Sequence, residues 1–167
     1  MNLADTFKLN ARGDREVVMS RTFDAPRTLV FDAFTKPELV RRWLLGPDGW
    51  TMPICEIDLR VGGKYRYVWR NAKGKEMGMG GVYREVVAPE RIVNTELFDD
   101  PWYPGEALVT TIFDEQAGKT TVTQTVLAST AEGRDAVLQS GMERGVIASY
   151  NRLEEVLATL PPESKAS

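Results

Sequence analysis

TMPICEIDLRVGGKYRYVWRNAKGKEMGMGGVYREVVAPERIVNTELF, residues 51–98, alternates apolar and polar side chains in short runs broken by Val61-Gly62-Gly63, Asn71-Ala72-Lys73-Gly74 and Ala88-Pro89-Glu90. Period two between regularly placed turn signals spells strand after strand. The connections are too short for parallel crossovers, so neighbouring strands must be antiparallel. The segments are 51–60, 64–70, 76–87 and 91–98. The same pattern continues at 106–115 and 120–128, after the longer link Asp99-Asp100-Pro101-Trp102-Tyr103-Pro104-Gly105. An earlier strand is expected at 16–24, where Val17, Met19 and Phe23 alternate with Glu16, Ser20 and Thr22. These segments predict a seven-stranded antiparallel sheet.

Helical text flanks the strands. Asp24 is placed to cap and Pro26 to occupy the first turn of a short helix over 26–34. A second short helix starts at Pro37 and stops at Gly46-Pro47. A long helix is expected from about 130 to 160, with Ser129-x-x-Glu132 as a capping-box candidate. Its stripe of Leu138, Met142, Val146, Tyr150, Leu153, Val156, Leu157 and Leu160 needs a surface to cover, and the sheet is the one large enough. Gly141 and Gly145 interrupt this helix one turn apart. Close backbone packing or a small break is one reading, and a notch beside a cavity is the other. Residues 1–14 are polar and aperiodic, and 161–167 follow a double proline. The ends are therefore expected to be loose around one domain over 15–160.

Composition narrows the chemistry. The 167 residues, 43% apolar and 27% charged, suit one globular unit that builds its core without disulfides or metal. There is no histidine, which excludes histidine-based nucleophile activation and histidine-ligated metal centres. The single cysteine, Cys55, lies in the apolar stretch Met52-Pro53-Ile54-Cys55 and reads as an inert packed thiol. A net charge of −3 argues against a dedicated nucleic-acid binder. The absence of a long apolar run predicts no membrane span, and without an apolar N-terminal segment the expectation is a soluble cytoplasmic protein. Residues 36–75 carry nine basic and four acidic side chains, whereas 85–115 carry one basic and eight acidic. Such segregation reads either as two solvated faces or as an electrostatic handle for a partner.

Several strand residues are candidates for a binding cavity. Tyr65, Tyr67 and Trp69 project to one face of their strand while Lys64, Arg66 and Arg70 take the other. Met77 and Met79 on the next strand extend an adaptable wall. Thr110, Thr111, Thr121, Thr123, Gln124 and Thr125 put polar groups on both faces of the last two strands, so some must point inward and need partners. Glu96 shares a face with Asn94 and Phe98; a solvated strand carboxylate is its plain reading, a pocket-facing one the other. Without histidine, stability should be nearly flat from about pH 6 to 8 unless a buried carboxylate is strongly perturbed, with Glu96 the first suspect. Gly78-Met79-Gly80-Gly81 lies within a strand pattern and reads as a bulge or a close backbone approach, not a phosphate loop. Trp102 and Tyr103, stiffened by Pro101 and Pro104, are candidates for a gate or for pinning to the sheet end.

The order of one strand, two short helices, six strands and a long helix resembles the helix-grip fold of the START and Bet v 1-like superfamily, an α+β architecture. Within it the chain is similar to the bacterial proteins related to the C-terminal domain of the activator of heat-shock protein 90 ATPase. The resembling pieces are Arg21-Thr22-Phe23-Asp24-Ala25-Pro26 with Val30-Phe31-Asp32-Ala33-Phe34-Thr35, Pro37-Glu38-Leu39 to Trp43, and Asp58-Leu59-Arg60-Val61-Gly62-Gly63-Lys64-Tyr65-Arg66-Tyr67. Gly81-Val82-Tyr83-Arg84-Glu85-Val86, Pro89-Glu90-Arg91-Ile92-Val93 and Tyr150-Asn151-Arg152-Leu153 complete them. The resemblance implies a hydrophobic cavity between sheet and long helix. Its candidate lining is Trp43, Tyr65, Tyr67, Trp69, Met77, Met79, Tyr83, Glu96, Phe98, Trp102, Tyr103, Thr111, Phe113, Gly141, Met142, Gly145 and Tyr150. Where relatives often carry tryptophan after the helix glycine, this chain has Val146, which suggests a roomier or differently shaped pocket. The expected ligand is a small hydrophobic or aromatic molecule, with no cofactor and no metal. The alternatives are a chaperone-contacting protein using the polarised surface, or a cyclase- or hydrolase-like enzyme using the same pocket. Monomer and homodimer are both open.

Overall fold

In the computed structural model, which describes residues 2–101 and 105–161, alternation of buried and exposed side chains builds one sheet. Its strands are Lys8–Arg12 (β1), Glu16–Phe23 (β2), Trp50–Ile57 (β3), Lys64–Asn71 (β4), Glu76–Val87 (β5), Arg91–Phe98 (β6), Ala107–Gln116 (β7) and Lys119–Leu127 (β8). They lie in the order β1-β2-β8-β7-β6-β5-β4-β3, with every neighbouring pair antiparallel. From β3 to β8 each strand pairs with the next, so this stretch is the expected meander. The sheet has eight strands, not seven. The additional strand, β1, comes from residues the sequence pattern leaves in the aperiodic N-terminal segment. Four of its five residues are exposed, so no alternation marks it, and it is placed by backbone pairing with β2.

The helices cover one face. Arg27–Thr35 (α1) begins after Pro26, and no side chain of the preceding turn caps it. Asp24 does not take that role. The Arg27 backbone N–H instead donates to Glu115 Oε1 on β7 at 2.7 Å, a long-range cap that local sequence cannot announce. Pro37–Trp43 (α2) follows with proline in its first turn. The C-terminal helical stretch is two helices, Ala131–Gln139 (α3) and Met142–Thr159 (α4), separated at Gly141, whose φ of 82° is left-handed. Thr130, one residue later than the capping box suggests, caps α3 by accepting from the Gly133 N–H at 2.9 Å.

Tyr150, Leu153, Val156 and Leu157 of α4 enter the same buried cluster as Phe23, Trp43, Tyr65, Tyr67 and Phe113, closing helices onto sheet. Burial of that stripe is the main force holding α4 in place. A buried arginine adds register. Arg21 on β2, only 3% exposed, donates to Asn151 Oδ1 at 3.1 Å and to Glu154 Oε1 at 3.4 Å, and its guanidinium lies 4.7 Å from the Phe23 ring centroid. Two of the quoted sequence pieces, 130 residues apart, thus meet across the helix–sheet interface. In the Gly78–Gly81 stretch, a Cβ at Gly81 would overlap the Thr95 carbonyl oxygen of β6, so close backbone approach is the reason for glycine there.

Candidate functional site

A cavity of about 530 Å3 lies between the sheet and α4. Its wall is built by the inward rows of β4, β5, β6, β7 and β8, and by α4 with the loop after α2. Tyr65, Tyr67 and Trp69 form the aromatic row of β4, with ring centroids 5.1 Å apart for the tyrosines and 5.9 Å for Tyr67 and Trp69. Tyr83 of β5 stands 5.5 Å from Tyr65. Met79 is buried, and Met77, 42% exposed, marks the rim. Trp43 of α2 lines the cavity while its Nε1 donates to the Ala33 carbonyl at 2.8 Å.

Every described candidate from the sequence lines this cavity except Phe113 and Gly141. Phe113 shares the inward face of β7 with Thr111, but it lies farther along the strand beneath α1. There it packs edge-on against Phe31 and Phe34, each at 5.3 Å, as ordinary core. Gly141 is exposed and serves the break between α3 and α4. It forms no groove with Gly145. Gly145 does line the cavity, and its Cα faces the Gly46-Pro47 turn. Trp102 and Tyr103 lie outside the described residues.

The sequence reading missed the loop and part of the polar floor. The Gly46-Pro47 turn is clamped onto α4 because the Gly46 N–H donates to Ser149 Oγ at 2.8 Å and the Gly46 carbonyl accepts from Arg152. Ser149 and Arg152 sit three apart on α4, a spacing that brings side chains together. On the floor, Tyr150 Oη donates to Gln124 Oε1, and Gln124 Nε2 donates to Thr111 Oγ1 at 3.2 Å. The inward polar groups anticipated on β7 and β8 are therefore partly satisfied by one another. Met19, Phe34, Trp50, Asn94, Val109, Val126, Val137 and Val146 complete much of the wall. Asn94, which the strand alternation marks only as a neighbour of Glu96, donates from Nδ2 to Tyr65 Oη at 3.1 Å.

Glu96 is the one charged side chain among the described residues lining the cavity. It is not the solvated strand carboxylate of the plain reading. Among the described residues no hydrogen bond or ion pair reaches its carboxylate, and burial pushes its pKa from the ordinary range up to about 7. A flat stability profile from pH 6 to 8 is therefore no longer the expectation. Tyr67 and Tyr83 have pKa values pushed up first by burial, Tyr67 also by neighbouring Tyr83, Tyr65, Cys55 and Glu96. The Cys55 thiol, buried and pushed up to about 11, has the character of an inert core group.

A second depression, about 700 Å3 and more open, runs over Lys64, Arg66, Gly80, Val82, Leu97 and Asp99. Arg66 and Asp99 already hold each other there in a bidentate pair at 2.6 and 2.7 Å. That pair also joins the basic segment of the chain to the acidic one. Among the described residues no cluster of carboxylates and thiol is arranged to hold a metal ion, and no helix is long and apolar enough to cross a membrane.

An antiparallel sheet closed by a C-terminal helix, with an apolar cavity between them, is the architecture of the helix-grip class. The family described as Activator of Hsp90 ATPase homolog 1-like protein matches residues 24–158, and the chain belongs to that family. A Rhodobacter sphaeroides protein of known crystal structure is 31% identical over 93% of this chain and 100% of its own, with a TM-score of 0.88. Protein CV1439 from Chromobacterium violaceum is 27% identical over 87% of this chain and 98% of its own, with a TM-score of 0.73. An AHSA1-like protein from Aeromonas hydrophila, 22% identical over 86% of this chain and 97% of its own, shares the fold at a TM-score of 0.67. No curated protein matches the chain.

Proposed function

We propose that this protein is a binding module that encloses a small hydrophobic or aromatic molecule between its sheet and α4. The observation that carries the reading is the cavity itself. Its volume falls within the range of about 300–1,000 Å3 usual for small-molecule sites, and its wall combines many apolar and aromatic side chains with few polar ones. A packed core leaves few voids larger than a water molecule, so a space of this size has a use other than stability. The chaperone-contacting alternative draws on the family's description, but the charged segments that would carry it are tied to each other by Arg66 and Asp99. Catalysis is not assigned, since Glu96 alone does not define a reaction. Titration with the neutral fluorescent dye Nile red, together with native mass spectrometry of protein from its own host, tests the reading. Saturable one-to-one dye binding, competed by the co-purified molecule, is expected. Dye binding that survives filling the cavity by Val146→Trp would overturn it.

A further inference from the structure

Within the proposed binding cavity the polar groups are unevenly shared. Thr111, Gln124 and Tyr150 satisfy one another at one side. At the other, Glu96 and the hydroxyls of Tyr67 and Tyr83 have no hydrogen-bond partner among the described residues. Arg21 Nε is the one fully enclosed side-chain nitrogen or oxygen without a partner among those residues. The Glu96, Tyr67 and Tyr83 oxygens are therefore within reach of a guest in the cavity that all three residues line. Among the described lining residues there is no lysine or arginine. The site is a carboxyl group that shares its cavity with tyrosine rings, with no basic side chain among the described lining residues to neutralise it.

We infer that the cavity selects amphiphiles that carry a protonated amine, with the ammonium seated on Glu96 beside Tyr65, Tyr67 and Tyr83 and the apolar part running toward Trp43 and Trp69. The inference rests on the cavity reading above and adds the chemical class of the guest. Three arguments converge. A carboxylate taken out of water without a partner is costly, and a guest cation supplies the missing charge and hydrogen-bond donors. Aromatic rings present negative π faces, which attract an ammonium and disfavour a second anion. A guest carboxylate would meet Glu96 with no basic residue between them, so fatty-acid-like ligands are selected against by like-charge repulsion. The neighbouring groups do not change this sign, since burial raises the pKa values of Tyr67 on β4 and Tyr83 on β5 and so favours their neutral forms, and the lining of α4 contributes no charge.

Three probes with one carbon skeleton separate the possibilities: 4-phenylbutylamine, 4-phenyl-1-butanol and 4-phenylbutyrate, each titrated at pH 8 by calorimetry and by displacement of Nile red. The amine should bind at least about tenfold more tightly than the alcohol, equivalent to about 1.4 kcal/mol, and the acid most weakly. Glu96→Gln should bring the amine to within a few-fold of the alcohol. A measurement on the unaltered protein guards against a folding artefact: between pH 8 and 5, as Glu96 takes up a proton, the preference for amine over alcohol should collapse. Equal binding of all three probes, tightest binding of the acid, or an amine preference that survives both Glu96→Gln and pH 5 would overturn the inference and leave the cavity reading standing. Failure of Nile red and of all three probes to bind would overturn both.

Discussion

The Tyr150 hydroxyl on α4 donates to Gln124 Oε1 on β8, and the same amide donates onward to Thr111 on β7, so one side-chain chain joins the helix to two strands across the cavity floor. Tyr150 is only 2% exposed, and its ring also lies 5.4 Å from Phe23. Removing the hydroxyl keeps the ring packing and leaves Gln124 short of a donor. Tyr150→Phe should therefore cost about 1–2 kcal/mol, read as a lowered urea midpoint with an unchanged slope. An unaltered midpoint would mean that water replaces the bond at no cost.

Glu96 predicts an unusual pH dependence. Its pKa is raised in the folded state, from 4.5 to about 7, so the folded protein holds this proton more tightly than the unfolded chain does. Between those values the native state binds more protons, and stability falls as pH rises. The contribution is fully present below about pH 4.5 and is lost as pH climbs through 7. At full ionisation the loss approaches roughly 3 kcal/mol as an upper bound, at about 1.36 kcal/mol per pH unit. Glu16 and Asp99, both held below their ordinary values by arginine partners, act in the opposite direction but at lower pH. Denaturant midpoints from pH 5.5 to 8.5 should decline in the unaltered protein and stay level in Glu96→Gln. Parallel curves for the two proteins would refute the assignment to Glu96.

The two helix glycines, alike in the sequence, should respond in opposite ways to alanine. Gly145 lies inside α4, and a Cβ there meets Pro47 Cδ at 3.6 Å and Gly46 Cα at 3.9 Å, ordinary contact distances. Gly145→Ala should stabilise by up to about 1 kcal/mol through helix propensity. Gly141 has open space around it but a φ of 82°, so Gly141→Ala should cost roughly 1–2 kcal/mol in backbone strain. Thermal melts of the two variants decide it, and a shift of the same sign in both would contradict the separate roles.

What sequence exposes here is periodicity, and what it hides is position along an element. Tyr65, Tyr67 and Trp69 were legible as one row because strand side chains alternate. Phe113 obeys the same rule and faces inward, yet its distance along β7 puts it under α1 rather than in the cavity. Alternation likewise grouped Glu96 with Asn94 and Phe98, but not which way the group faced. That depends on the register of β5 against β6, which shifts between Tyr83 and Glu85. The clamp of Ser149 and Arg152 on Gly46 spans more than a hundred residues, so no local pattern records it. The five residues of β1 escaped notice because an exposed edge strand held by backbone pairing needs no apolar alternation.

Val146 offers the most direct control of the cavity. It lies on α4 beside Gly145 and lines the cavity together with the aromatic row of β4. Val146→Trp adds an indole that the helix directs into existing void instead of into packed core. Overpacking a full core costs roughly 1–3 kcal/mol, whereas burying apolar surface in an empty cavity gains about 25 cal/mol per Å2. The variant should accordingly melt no lower than the unaltered protein and lose at least about tenfold in Nile red affinity, or about 1.4 kcal/mol. Measuring both on one sample separates the outcomes. A marked fall in melting temperature with dye binding intact would show that the region around Val146 is close-packed and that the dye binds elsewhere.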